Sequence, residues 1–175
     1  MFPVEVVGKK ITLRLLDQKY FEEYHTMFSP VVRVILGLPE IATLEETRDF
    51  LSKTVETLRG EENSKYKAFY CIFDNVDKKL IGALEIREPG NINGQLGTWV
   101  NENYWGGGRY QEALDLVLKA YFKAHEINSL NAYVRVANIR SLKAHQKYGF
   151  EIVGELEVKG NNCYEIVVTR YRVLS

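Results

Sequence analysis

Cysteine is scarce in this chain: there are two, Cys71 and Cys163, far apart and each set in a strand-like run. That argues against a disulfide framework or a cysteine-rich metal site and leaves buried, reduced thiols as the reading. Net charge is lacking as well, because 23 Lys and Arg are matched by 23 Asp and Glu. No overall field therefore draws the chain to nucleic acid or to an anionic membrane. No apolar run is long enough to cross a bilayer. The opening residues Met1-Phe2-Pro3-Val4-Glu5 have neither the basic nor the apolar region of a secretory leader. Repeats, linkers and low-complexity tracts are missing too. What is present is 46% apolar residues over 175 positions, enough for a packed core. The expectation is one domain over 1–175, cytoplasmic, with no metal, no nucleic acid and no membrane partner.

The patterning alternates strands with helices. Lys10 to Leu15 has period two and reads as a strand. Asp17 then caps a helix carrying Tyr20, Phe21, Tyr24 and Phe28 at helical spacing, broken at Ser29-Pro30. Thr43-Leu44-Glu45-Glu46 is a capping box that opens a helix running to about Arg59 and stopping at Gly60. Glu61 to Lys65 reads as a polar surface loop. Tyr66–Asp74 and Leu80–Arg87 form a hairpin, and the turn chemistry of Pro89 to Gly94 delivers a further strand at Gly97–Asn101. A wide apolar arc marks a helix from Glu112 to about His125. Then come a strand at Leu130–Val136, a short helix from Asn138 to Gly149, and a last hairpin, Phe150–Val158 with Cys163–Val173. The fold class is α/β with a mixed, mostly antiparallel sheet and flanking helices.

Between the Gly97 strand and the helix after it stands Trp105-Gly106-Gly107-Gly108-Arg109-Tyr110-Gln111. Three glycines without Cβ atoms let the backbone take positive φ and let a ligand approach. The helix that follows offers unpaired N–H groups and the positive end of its dipole. Together they suit an anion, most often a phosphate or pyrophosphate; the competing reading is a loop that merely turns the chain. A dinucleotide fingerprint fails at Gln111, and a Walker-type Gly-Lys-Ser/Thr is missing.

The stretch resembles the acyl-CoA loop of the GNAT superfamily of N-acetyltransferases. The nearest subgroup contains the RimJ/RimL-type ribosomal-protein alanine N-acetyltransferases. Gly97, Trp99, Tyr104, Trp105, Gly106, Gly108, Glu112 and Ala113 fall on that subgroup's pattern without a gap. Gly107 stands for its usual lysine, Arg109 for an aromatic and Gln111 for a threonine. About thirty residues further on, Asn138, Ser141, Lys147, Gly149 and Phe150 resemble the second family motif, Asn-x-x-Ser followed by Lys-x-Gly-Phe. The resemblance covers nearly the whole chain. It implies that the Gly97 and Leu130 strands splay to form a cleft for acetyl-CoA.

By the same resemblance Trp99 and Val100 line the pantetheine arm, and Gly106, Gly107, Gly108, Arg109, Tyr110 and Gln111 supply backbone donors to the pyrophosphate. Asn138 and Ser141 meet the pantetheine and the thioester sulfur, which makes Ser141 the candidate for steadying the departing thiolate. His145, one turn on, takes the position of a tyrosine acid in many members, and an imidazole there suits proton donation. A surface or structural histidine is the competing reading. For the base, Glu85 and Glu102 are the carboxylates on offer, unless both are solvated edge charges or water relays the proton. Arg140 and Lys143 suit the nucleotide 3′-phosphate, or are simply solvated. The implied activity is transfer of acetyl from acetyl-CoA to a primary amine, on a protein N-terminus or a small molecule. The alternative is a catalytically silent CoA-binding or regulatory domain. Monomer and homodimer both fit.

Overall fold

In the computed structural model, which describes residues 3–59 and 66–175, eight strands form one sheet in the order β1-β2-β3-β4-β5-β6-β8-β7. The strands are β1 (Glu5–Val7), β2 (Ile11–Leu15), β3 (Tyr66–Asp74), β4 (Leu80–Arg87), β5 (Leu96–Val100), β6 (Ser129–Arg135), β7 (Glu151–Val158) and β8 (Asn161–Thr169). Every neighbouring pair is antiparallel except β5 and β6. The helices are α1 (Phe21–Met27), α2 (Pro30–Ile35), α3 (Leu44–Arg59), α4 (Arg109–Ala124), α5 (Ile139–Tyr148) and α6 (Arg170–Leu174).

Both faces of the sheet are covered, and β3 shows why its sequence is apolar at nearly every position. Ala68, Tyr70 and Ile72 face the core beneath α4, with Leu114, Leu118 and Phe122. Phe69, Cys71 and Phe73 alternate to the opposite face and pack with Phe21 and Tyr24 of α1 and Leu51 of α3. Cys71 and Cys163 are buried free thiols, as their strand settings implied. The capping box of α3 forms in both directions: Thr43 N donates to Glu46 Oε2 at 2.8 Å, and Glu46 N to Thr43 Oγ1 at 3.1 Å.

Several boundaries differ from the sequence reading. Asp17 caps a 3-10 turn at Gln18–Tyr20 that leads into α1, accepting from Lys19 N at 3.0 Å. Ser29-Pro30 ends α1 but also starts α2, since Ser29 Oγ accepts from Val32 N and proline suits the first helical position. Helix α4 begins at Arg109, three residues earlier than its apolar arc indicates. The final strand stops at Thr169, whose hydroxyl accepts from Arg172 N at 3.3 Å and caps α6. Strand β1 was not read from the sequence. The expected stop at Gly60 and the loop from Glu61 to Lys65 lie outside the described residues.

Candidate functional site

The site is built on the one parallel pairing. Strands β5 and β6 register at a single position, Leu96↔Ala132. The pairing is closed off there by Gln95 N, which donates to Asn131 O at 3.1 Å and to Asn131 Oδ1 at 3.0 Å. Beyond Leu96 the strands splay. Arg87 N donates to Gln95 O and Asn101 N to Ile81 O, which sets the phase of the antiparallel ladder with β4. The odd-numbered residues of β5 bond to β4, so Thr98 and Val100 turn their backbone groups toward the splay. The Val100 carbonyl accepts from Trp105 Nε1 at 2.8 Å.

The glycine loop closes one end of this cleft. Gly106, Gly107 and Gly108 all take left-handed backbone, with φ of 81°, 67° and 78°. Gly108 is the cap of α4, and the helix N-terminus opens directly from it. The loop is held from outside. Lys10 Nζ donates to Gly107 O at 2.6 Å. The Glu112 carboxylate, in the first turn of α4, accepts from Lys9 N, Lys10 N and Ile11 N at 2.9, 2.7 and 3.0 Å. Arg109 turns its side chain away from the cleft to Asp74, Nε to Oδ1 at 2.6 Å. Burial pulls the Asp74 carboxyl up, but Arg109 and the amides of Asp77 and Val76 outweigh it and hold the group below its usual value.

The second motif forms the far wall. Asn138 caps α5, its side chain accepting from Ser141 N at 3.2 Å. His145 is 3% exposed, so it is no surface group. Its Nδ1 lies 2.7 Å from the Ser141 carbonyl, which can only accept, so Nδ1 carries the proton. Nε2 is then an acceptor and takes the Tyr110 hydroxyl at 2.8 Å; Tyr110 in turn meets Thr98 Oγ1 at 2.8 Å. Burial pushes the imidazole down to about 4 against one raising contact from the Ser141 backbone, so the ring is neutral near pH 7. Burial likewise raises the Tyr110 hydroxyl. Ser141 Oγ stands 3.3 Å from the protonated Nδ1 and can only accept from it. The Ser141 proton is thereby left to point elsewhere, while the His145 proton is committed to a carbonyl.

Two cavities meet along Thr98, Trp99, Asn138 and Ser141. The first, about 330 Å³, runs past Val100, Gly106, Gly108, Tyr110 and Gln111 along the α5 face bearing Arg140, Lys143 and Lys147. The second, about 720 Å³, opens between α2, α3 and the β7–β8 turn, with His145 and the Glu85–Arg87 pair in its wall. Arg87 is anchored by the carbonyls of Asn93 and Gly94, at 3.0 and 3.1 Å. A Cβ at Gly97 would collide with both members of the pair, so that glycine clears their place. Trp99 is buried between the cavities, stacked on Phe28 at 4.6 Å with Nε1 donating to the Tyr24 hydroxyl. Glu102 lies outside both linings and accepts from Ser29 Oγ at 2.5 Å. Gly107 and Arg109 are in the loop but not in its cavity wall.

Of the residues the sequence singled out, the structure brings together Trp99, Val100, the glycine loop, Asn138, Ser141 and His145, and separates Glu102 from them. The sequence reading gave no site role to Thr98, the Tyr110 side chain, Arg87 or the Lys10–Glu112 bracket, and it held Lys147 only as part of the second motif. Among the described residues no cluster of His, Cys, Asp or Glu suits a metal, and no helix is long and apolar enough to cross a membrane.

Comparison with known proteins agrees with this architecture. Residues 10–151 match the model of the acetyltransferase (GNAT) domain. A curated relative, the SPbeta prophage-derived uncharacterized N-acetyltransferase YokL of Bacillus subtilis (strain 168), is 24% identical over 85% of this chain and 80% of its own length. A solved acetyl transferase of Salmonella typhimurium, described as modifying the N-terminal serine of 50S ribosomal subunit protein L7/L12, superposes with TM-score 0.74. It is 21% identical and covers 95% of this chain and 97% of that one. RimL, a ribosomal L7/L12 alpha-N-protein acetyltransferase solved with coenzyme A, gives TM-score 0.73 at 20% identity, covering 95% of this chain and 96% of that one.

Proposed function

Because the chain belongs to the acetyltransferase (GNAT) domain family, we propose that it moves acetyl from acetyl-CoA to a primary amine by direct attack. The observation that carries the reading is the splay: a strand edge at Thr98 and Val100 runs from a left-handed glycine loop to the Ser141 hydroxyl. Acetyl-CoA fits that run end to end. Its pyrophosphate would meet the amides from Gly106 to Gln111, and its pantetheine would take the free edge beside Trp99 and Val100 as a strand would. Asn138 would flank it, and Arg140 and Lys143 would meet the nucleotide 3′-phosphate.

The acceptor would enter through the larger cavity, a protein N-terminus or a small-molecule amine, in the cytoplasm. The whole of 1–175 would act as one domain. The neutral amine attacks the thioester carbonyl, a C–N bond forms, the C–S bond breaks, and the electron pair leaves on sulfur. Ser141 Oγ–H would donate to that sulfur as its charge grows. His145 would not supply the proton, because its only N–H is bound to the Ser141 carbonyl. It would instead fix the turn that carries Ser141. Glu85 is paired with Arg87, and Glu102 is turned to Ser29, so water would carry the amine's proton away.

The test is a panel of amines and N-terminal peptides scored by release of free CoA thiol. An acceptor-dependent rate is expected; thiol release indifferent to every amine would leave only a CoA-binding domain.

A further inference from the structure

The direction of the hydrogen bonds around His145 decides what two hydroxyls can do where the cavities meet. The ring is buried and neutral, and its one proton sits on Nδ1, given to the Ser141 carbonyl at 2.7 Å. Nε2 can then only accept, so the Tyr110 hydroxyl points its single proton there, at 2.8 Å. Toward Thr98 the Tyr110 oxygen has nothing left to donate. It accepts at 2.8 Å, and the Thr98 hydroxyl is the donor. Thr98 Oγ1 is thereby left with lone pairs and no proton. Ser141 Oγ, which accepts from Nδ1 at 3.3 Å, keeps its own proton to give. One imidazole therefore makes one hydroxyl an acceptor and the other a donor.

Both hydroxyls line both cavities, Thr98 from β5 and Ser141 from α5. Thr98 is half-buried, so its oxygen is within reach of a ligand. The other two side chains at the meeting point are committed differently. Trp99 Nε1 donates to the Tyr24 hydroxyl at 3.0 Å, and the Asn138 side-chain carbonyl accepts from Ser141 N at 3.2 Å. Of the two substrates, the pantetheine arm is met by the backbone edge at Thr98 and Val100, which leaves the Thr98 side chain for the amine. Resting on the acetyl-transfer reading, we propose that Thr98 Oγ1 accepts a hydrogen bond from an N–H of the attacking amine and so aims the nitrogen lone pair at the thioester carbonyl. Tyr110 and His145 are positioning residues that act through Thr98, keeping its proton turned away from the amine. The contact strengthens as the nitrogen becomes positive during attack. Thr98 holds the nitrogen without taking its proton, which still leaves to water.

The experiment compares Thr98→Val, Thr98→Ser and Tyr110→Phe with the wild type by release of CoA thiol, on the amine or peptide of the panel that the wild type turns over fastest. Thr98→Val should lose roughly tenfold or more in kcat/KM for that acceptor, as expected of a hydrogen bond to a group gaining charge. Its affinity for acetyl-CoA, measured by calorimetric titration, should stay put. Thr98→Ser keeps the oxygen and should hold near the wild type, with Tyr110→Phe between the two. Independently of any acceptor, nitrogen-15 NMR of the histidine rings should show His145 protonated at Nδ1. Wild-type turnover by Thr98→Val overturns the proposal, as does an equal loss in Thr98→Ser, a fall confined to acetyl-CoA affinity, or a proton on His145 Nε2. If the wild type releases no thiol with any amine, the acetyl-transfer reading itself falls and takes this with it.

Discussion

At the residue scale, Ser141 and His145 sit at i,i+4 but have different tasks. Removing a donor aimed at developing charge costs roughly 10²–10³ in turnover. Ser141→Ala should lower kcat by about that much and leave the KM for acetyl-CoA nearly unmoved. An unchanged kcat on an identified amine would remove Ser141 from the chemistry. His145 has a consequence for stability. Its ring stays neutral in the folded state down to about 4, whereas in the unfolded chain it protonates near the ordinary 6.5. Between those values the unfolded state holds more protons, so stability falls as pH drops through that window and is undiminished above it. The full difference is about 3 kcal/mol. Urea unfolding at pH 7, 5.5 and 4 checks it: the loss should be smaller in His145→Asn, and equal losses in both proteins would contradict it.

At the scale of elements, the loop and α4 act as one unit clamped to the start of β2. Glu112 meets three amides about a hundred residues away in sequence, and Lys10 from the same segment meets the loop carbonyl. Hydrogen bonds to a charged group contribute roughly 1.5–3 kcal/mol each, less where exposed as here. Glu112→Ala should therefore cost about 2 kcal/mol of stability and weaken acetyl-CoA binding through a loosened loop, measured by unfolding and titration on one preparation. Retention of both would show that the clamp is idle. These contacts explain what could be read from the sequence and what could not. The glycine loop, the capping box at Thr43 and both late hairpins were legible because turn chemistry and periodicity are local. Helices α2 and α6 were not, because six and five residues are too few turns to show a period. The Tyr110–His145 contact and the Glu112 clamp join residues 35 and about 100 apart, and no spacing rule reaches that far.

At the scale of the whole molecule, a ligand that binds only the folded state adds roughly 2.7 kcal/mol at a hundredfold excess over Kd. For a chain of this length that is a rise in Tm of roughly 5–10 °C, readable by calorimetry. No rise with millimolar acetyl-CoA would remove the cofactor reading. The sheet is stitched to itself between β5 and β6 at one place only. A strand edge without a neighbour leaves its amides open to solvent deuterium, even deep inside a fold. Thr98 and Val100 therefore form a built-in clock. Their protons should wash out early while those of β3 and β4 persist, and slow abruptly when a pantetheine chain takes the place of the absent strand.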